Sequence, residues 1–263
     1  HIYARENGLA ITGLAALFAA SGDAACLDDA RRAAEWMIAQ RAIEGGGFRH
    51  DDKDAAGPYL ADTLAMARAF LALYAATAER AWLARAEDAA KFIDAKFRAQ
   101  LGFATAAAAQ DAQFSPKSQV DENIALVRFA VRLHHYTGND AWRKMAGHAM
   151  RYLASPVVIE QQGYGTSGIL LADRELRSDP AHITIVGRKD DPAASALFAA
   201  ALRGAPPFAR IEWFDKREGP LPHDDVPFPE LPNAAAFLCA AGTCSSPMSE
   251  PAQLAEKLAK LAR

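Results

Sequence analysis

The stretch "LYAATAERAWLARAEDAAKFI", residues 73–93, reads as the end of one helix, a Thr-containing turn and a second helix. Two other stretches align with it without a gap: "LFAASGDAACLDDARRAAEWM" (17–37) and "LHHYTGNDAWRKMAGHAMRYL" (133–153). Self-similarity at a fixed spacing of several tens of residues is the signature of a stacked repeat whose unit here is a pair of helices. The helix before the turn is apolar on several faces, with Leu60, Leu64, Ala67, Leu71 and Tyr74 on one stripe and Met66, Phe70 and Leu73 on another. Such a helix is buried on several sides. The helix after the turn keeps one stripe, Trp82, Ala86, Ala89, Ile93 and Phe97, and is charged elsewhere, so it has a wet side. Inner and outer helices alternating in this way build an (α/α) toroid, of which three hairpins form only part. Apolar surface around Met66, Phe70 and Phe129 is therefore expected to stay open, to missing sequence or to self-association. Cys26 aligns with Trp82 and Trp142 and reads as a core residue.

After a further helix in residues 164–180 the pattern changes. "HITIVG" (182–187) is a strand, "RKDDPAASALFAAALRG" (188–204) a helix capped by Asp191, "ARIEWFD" (209–215) a strand and "AAAFLC" (234–239) another. Strand, helix and strand in succession predict parallel pairing by a right-handed crossover. "SEPAQLAEKLAKLAR" (249–263) closes the chain as an amphipathic helix. The expected fold is mainly α, a partial toroid of three hairpins plus one helix over residues 1–178, followed by a small α/β unit over 179–263.

Composition excludes several classes. Hydrophobic residues make up 51% of the 263 and charged ones 23%, as in ordinary globular chains. The formal net charge is −3 and basic residues do not cluster, so no nucleic-acid partner is expected. No apolar stretch reads as a membrane span; residues 8–20 come nearest but are broken by Thr12 and Gly13. Three cysteines are too few for a disulfide scaffold and point to a reducing, cytoplasmic compartment. The chain opens on His1 with neither an initiator Met nor a signal-peptide pattern, and is read as starting inside a longer protein.

Function is sought in the long loops that enter the inner helices, "GGGFRHDDKDAAGPYLAD" (45–62) and "LGFATAAAAQDAQFSPKSQVDEN" (101–123). Glu6, Asp62 and Glu122 stand at equivalent places in the repeat, near three inner-helix N-termini that a toroid brings to one face. They are the candidate catalytic residues, because paired carboxylates serve glycoside chemistry when one is protonated and the other ionised. Acids in a first helical turn also offset the helix dipole, and that reading stands beside the first. Asn7, Asp121, Asn123, His134 and His135 are candidate ligand-binding residues. "RHDD" (49–52) and "PHDD" (222–225) lack the spacing of a metal motif and read as solvated loops, so neither metal nor cofactor is expected. Cys239 and Cys244 flank Gly242 in a turn. They read as a structural pair near enough to bond, with a redox role as the alternative.

"ITIVG" (183–187) followed by "AAAFLCAAGTCSSPMSEPAQL" (234–254) resembles the C-terminal part of the thioredoxin-domain family that includes spermatogenesis-associated protein 20. In that family a Cys-x4-Cys-x-x-Pro stretch lies near the C-terminus, where this chain has Cys239, Cys244 and Pro247. "NGLAITGLAAL" (7–17) and "PYLADTLAMARAFLALYAAT" (58–77) are similar to two of its helix starts. The resemblance implies a toroid similar to N-acylglucosamine 2-epimerases and six-hairpin glycosidases, with a thioredoxin-like domain of the full-length protein as partner. The chain departs from the family at Glu6 (a Trp there), at Ala61 (an acid) and at Asp121–Glu122–Asn123 (Ser-Gly-Asn). Three functions remain open: a module binding a small polar ligand such as a carbohydrate, without established catalysis; an epimerase- or glycosidase-like enzyme; and a structural partner for the thioredoxin unit.

Overall fold

The computed structural model describes residues 1–54, 57–107, 116–229 and 231–261. Its first three hairpins are α1 (Ala4–Ser21) with α2 (Ala24–Arg41), α3 (Leu60–Thr77) with α4 (Arg80–Phe97), and α5 (Val120–Thr137) with α6 (Asp140–Leu153). A short β1 (Ala42–Ile43) and β2 (Gly47–Phe48) ribbon follows α2, and α7 (Pro156–Gln162) and α8 (Ser167–Arg177) follow α6. The fold is mainly α.

One local device makes all three hairpin turns. Ser21, Thr77 and Thr137 each donate a hydroxyl to the carbonyl four residues back, at 2.7, 2.7 and 2.8 Å. Each also accepts the N–H two residues on, from Asp23, Glu79 and Asn139. The intervening Gly22, Ala78 and Gly138 are left-handed, and each N–H closes the helix C-terminus at 2.7 Å. Asp23 and Asn139 then cap the next helix through their side chains.

Inner helix α3 packs between α1 and α5 and is buried nearly all round. With a mean hydropathy of 1.2 over 18 residues it matches a short membrane span in length and composition. That corrects the expectation that no stretch does; within this fold its apolar surface is met by neighbouring helices. Met66, Phe70 and Phe129, expected to lie open, are 0, 1 and 2% exposed. The reason is orientation: Phe70 faces away from the arc's centre, stacking on Trp82 of α4 (6.0 Å between rings) and meeting Phe48 of β2. Phe129 borders the concave side, where alanines of the inner helices lie beside Leu71, Ile124 and several arginines. Cys26, by contrast, is only half-buried although Trp82 and Trp142 are buried, so its reading as a core residue is corrected. Where Trp82 stacks on Phe70 of its own hairpin, the short Cys26 side chain stays beside its N-cap Asp23.

Residues from Ala181 onward form a four-stranded sheet of order β4–β3–β5–β6: β3 (Ala181–Val186), β4 (Ala209–Phe214), β5 (Ala235–Ala240) and β6 (Thr243–Cys244). β3 and β4 are parallel through α9 (Pro192–Gly204), capped by Asp191; β5 is antiparallel to β3. α9 and α10 (Pro251–Leu261) cover one face, over Ile183, Ile185, Trp213 and Leu238. The other face carries a buried polar network. Glu212 pairs with His182 (2.8 Å) and Arg210 (2.7 Å), and Arg210 reaches Asp225 (2.8 Å). Cys239 and Cys244 are partners across β5 and β6 and form a disulfide, with Cα atoms 3.9 Å apart. This unit sits at the C-terminal ends of the inner helices, where Tyr136 Oη accepts the Ile211 N–H and Lys189 Nζ donates to the Ala78 carbonyl.

The tightest joint in the helical part is between α1 and α3. A Cβ on Gly8 would lie 2.6 Å from the Ala65 carbonyl carbon, whereas one on Gly13, in the same helix, meets nothing within 4 Å. Alanine in a helix is worth about 1 kcal/mol over glycine, and overpacking against backbone removes about 1–3 kcal/mol. The paired substitutions should therefore diverge in thermal unfolding: Gly13→Ala raises Tm by a few degrees, and Gly8→Ala lowers it.

Candidate functional site

The N-terminal ends of α1, α3 and α5 do lie on one side of the molecule, and two of the three aligned carboxylates share a cavity there. It has a volume of about 620 Å³ and is lined by Asp62, Glu122, His50, Tyr59, Thr105 and Arg68, among others. Glu6 is exposed and lines neither this cavity nor the larger one beside it. It stays close enough for its charge to raise the His50 pKa.

Asp62 is 1% exposed. It does not cap its own helix; its Oδ1 accepts the backbone N–H of Arg5 at 2.9 Å, one turn below the Gly8 contact. His50 approaches from the β2–α3 loop and sets Nδ1 3.1 Å from both carboxylate oxygens. The imidazole is held by stacking on Tyr3 (4.5 Å, 20°) and by the edge of Tyr59 (5.9 Å, 85°). Its loop is fixed by Asp54, which accepts the His50 and Gly57 N–H groups at 2.8 Å each. With Nδ1 taken, Nε2 has no hydrogen-bond partner among the described residues.

Glu122, on α5, accepts the Thr105 hydroxyl at 3.0 Å through Oε1. Its Oε2 is buried and has no partner among the described residues. Burial pushes the Glu122 carboxyl above the usual range, and the negative charges of Asp121 and Asp62 add to the push. Asp62 is also raised, by burial, although the His50 hydrogen bond and charge and the Arg5 N–H pull the other way. Burial works against the His50 cation, but the hydrogen bond to and charge of Asp62 outweigh it and hold the imidazole above its ordinary value. The cavity thus holds three ionisable groups whose pKa values are all raised, two of them in a fixed dyad.

The remaining sequence candidates fall elsewhere. Asn123 is fully buried and spends its side chain on structure, bonding the Phe103 N–H and C=O at 2.9 Å each and the Gln119 carbonyl at 2.8 Å. Asn7 bonds the Tyr3 carbonyl within its own helix start. Asp121 is exposed and lines both cavities. His134 and His135 end α5, at the opposite end from Glu122, and line neither cavity. His134 bonds the Asn139 carbonyl, and burial next to His134 pushes His135 down to about 4. Both His-Asp-Asp stretches read as solvated loops are in fact anchored: His50 to Asp62, and in the second His223 Nδ1 to the His135 carbonyl (2.9 Å) with Asp225 on Arg210. His50, Tyr59, Thr105 and Arg68 are the lining residues that the sequence did not single out. For His50 no spacing could have done so, because it lies twelve positions before Asp62, outside the helix that carries the acid.

No protein-family model and no curated protein sequence matches the chain. Among solved structures it is similar to a sugar epimerase from a ruminal bacterium, at 15% sequence identity and a TM-score of 0.48. The alignment covers 56% of this chain and 42% of that one, so the chain spans less than half the length of that structure.

The dyad sets a pH dependence. The folded protein holds the His50 proton more tightly than the unfolded chain, so the stabilisation is complete below the ordinary value of 6.5 and drains away as pH rises through the folded value. The Tm advantage of the wild type over His50→Gln should therefore be larger at pH 6 than at pH 9, by an amount on the order of 1–3 °C. Thermal melts across that range check it; an advantage independent of pH would mean that His50 acts through packing alone.

Proposed function

We propose that the cavity at the inner-helix N-termini binds a small, polyhydroxylated ligand, with sugars as the leading class. The observation that carries the reading is Glu122, a cavity-lining carboxylate whose buried Oε2 has no donor among the described residues. Leaving such an atom unpaired costs about 1–3 kcal/mol, which a ligand hydroxyl would offset. His50 Nε2, Tyr59 and Thr105 supply further polar positions around the same space, and Leu9, Ala61 and Ala125 supply apolar wall for a sugar's C–H face.

A second reading is favoured by the His50–Asp62 dyad. Asp62 fixes the imidazole through Nδ1 and leaves Nε2 for proton transfer, while burial shifts Glu122 toward its protonated form. That pairing of a base with a carboxyl is what abstraction and return of a proton next to a sugar carbonyl would require. On either reading the helical part (1–178) is the ligand-binding unit and the sheet-containing part (179–263) closes the far ends of its helices. The Cys239–Cys244–Pro247 pattern supports placing both in a longer protein of the thioredoxin-domain family, with the thioredoxin-like unit as an intramolecular partner. Coding sequence upstream of residue 1 should then contain a Cys-x-x-Cys motif.

Calorimetry with neutral monosaccharides and polyols tests the binding reading. A ligand of this site should lose about tenfold in affinity in Glu122→Gln, whose amide cannot present the same acceptor pair, while the melt stays cooperative. Incubating the same sugars in D2O separates the two readings. Deuterium entering the carbon beside the carbonyl, and lost in His50→Gln, marks an enzyme; binding without exchange marks a binding module. If no sugar or polyol binds, the reading falls.

A further inference from the structure

The concave side of the arc holds a second cavity, of about 640 Å³, between the inner helices and residues 202–211. Its walls are small and apolar, with Ala16, Ala19, Ala72, Ala75, Ile124 and Pro206 as examples. Four arginines line this largely apolar space, Arg68, Arg128, Arg132 and Arg203, together with Asp121; Arg203 and Asp121 are exposed. Two of them are engaged. Arg128 forms a two-pronged pair with the buried carboxylate of Glu175, at 2.9 Å for each bond, and Arg132 donates to the Pro207 carbonyl. Arg68 has no hydrogen bond and no ion pair among the described residues. It is half-buried in the middle of α3 and lines both cavities.

An uncompensated cation in that position is costly. Burial acts against its charge, and the nearby charges of Arg128 and Arg132 act in the same direction. A guanidinium does not escape by losing its proton. An anion offsets such a charge most directly, and the flat guanidinium matches a carboxylate with two parallel hydrogen bonds.

We propose that this cavity is a binding site for a small organic carboxylate, its head on Arg68 and its apolar body along the alanine-lined wall of α1, α3 and α5. A carboxylate presents one flat head that a single guanidinium can bind, whereas a phosphate dianion costs more to desolvate beside apolar walls. The apolar wall selects a ligand with a hydrocarbon part over a bare ion. The inference does not rest on the sugar reading, since it uses the α1–α3–α5 concavity rather than the His50–Asp62–Glu122 wall.

Octanoate, 1-octanol and inorganic phosphate are the probes, titrated by calorimetry into the chain and its Arg68→Leu and Arg68→Lys variants, with a melt of each variant to confirm folding. Octanoate should bind at least tenfold more tightly than 1-octanol. Arg68→Leu should erase that preference, and Arg68→Lys should keep part of it, a point charge replacing the two-pronged contact. If Arg68→Leu does not fold, the partial loss in Arg68→Lys decides. Equal affinity for octanoate and octanol would show an apolar cavity without an anion site. Displacement of octanoate by equimolar phosphate would show a bare oxyanion site. A preference that survives at Arg68→Leu, or no binding of octanoate at all, would equally overturn the proposal.

Discussion

The inner helices of this protein do not cap themselves, and the candidate site follows from that. Tyr3 and Tyr59 precede α1 and α3 without offering a side-chain acceptor to the free N–H groups of the first turn. Those groups are satisfied from the neighbouring hairpin instead. The Ala4 N–H goes to the His50 carbonyl at 3.0 Å, the Arg5 N–H to the Asp62 carboxylate, and the Leu60 N–H to the Thr105 carbonyl at 2.9 Å. This exchange needs the helix starts to lie level and very close, which the Gly8–Ala65 approach secures. The residues that close the circuit, His50, Asp62 and Thr105, are the same ones that line the polar cavity. Stability of the helix starts and shape of the site are one arrangement.

Much of the architecture is legible in the sequence because it is made by local rules. The Ser/Thr hydroxyl, the left-handed residue and the acid or amide after it lie within three residues at each hairpin turn, so the aligned segments reveal them directly. The β3–α9–β4 crossover is legible for the same reason: a β-branched run, then Asp191 and Pro192 to start a helix, then a second β-rich run. The site is less legible. Asp62 looks like a first-turn acid that serves its own helix dipole, and only the backbone geometry shows it serving α1. His50 looks like part of a wet acidic loop, because nothing in "RHDD" reports the stacking on Tyr3 from a segment nearly fifty residues away. Burial departs from expectation at both ends of the scale: Phe70 turns toward Trp82 and Phe48, an orientation that a stripe of apolar residues does not fix, and Cys26 is only half-buried where its aligned tryptophans are buried.

The second polar region is of a different kind. His182, Arg210 and Glu212 are nearly or fully buried between the sheet and the connection over 219–229, paired with one another and with Asp225. Breaking such a network by removing one charge leaves its partner stranded, typically at a cost of about 3–5 kcal/mol. The long Pro-containing connection is therefore a fixed cover of the sheet, and its anchoring through His223 to the His135 carbonyl ties it to the end of α5.

The shared turn device also bears on how the chain reaches this state. Each helical hairpin closes on contacts a few residues apart, and chains dominated by short-range contacts fold quickly. The circuit of Ala4, Arg5, His50 and Asp62 spans two hairpins and can close only after both exist. The polar cavity therefore requires both hairpins to be docked, and detachment of α1 would dissolve it. A molecule seated between Asp62 and Glu122 would hold a docking that the folding transition state need not contain, and so would act chiefly on the rate of unfolding, as a kinetic clamp on the N-terminal hairpin.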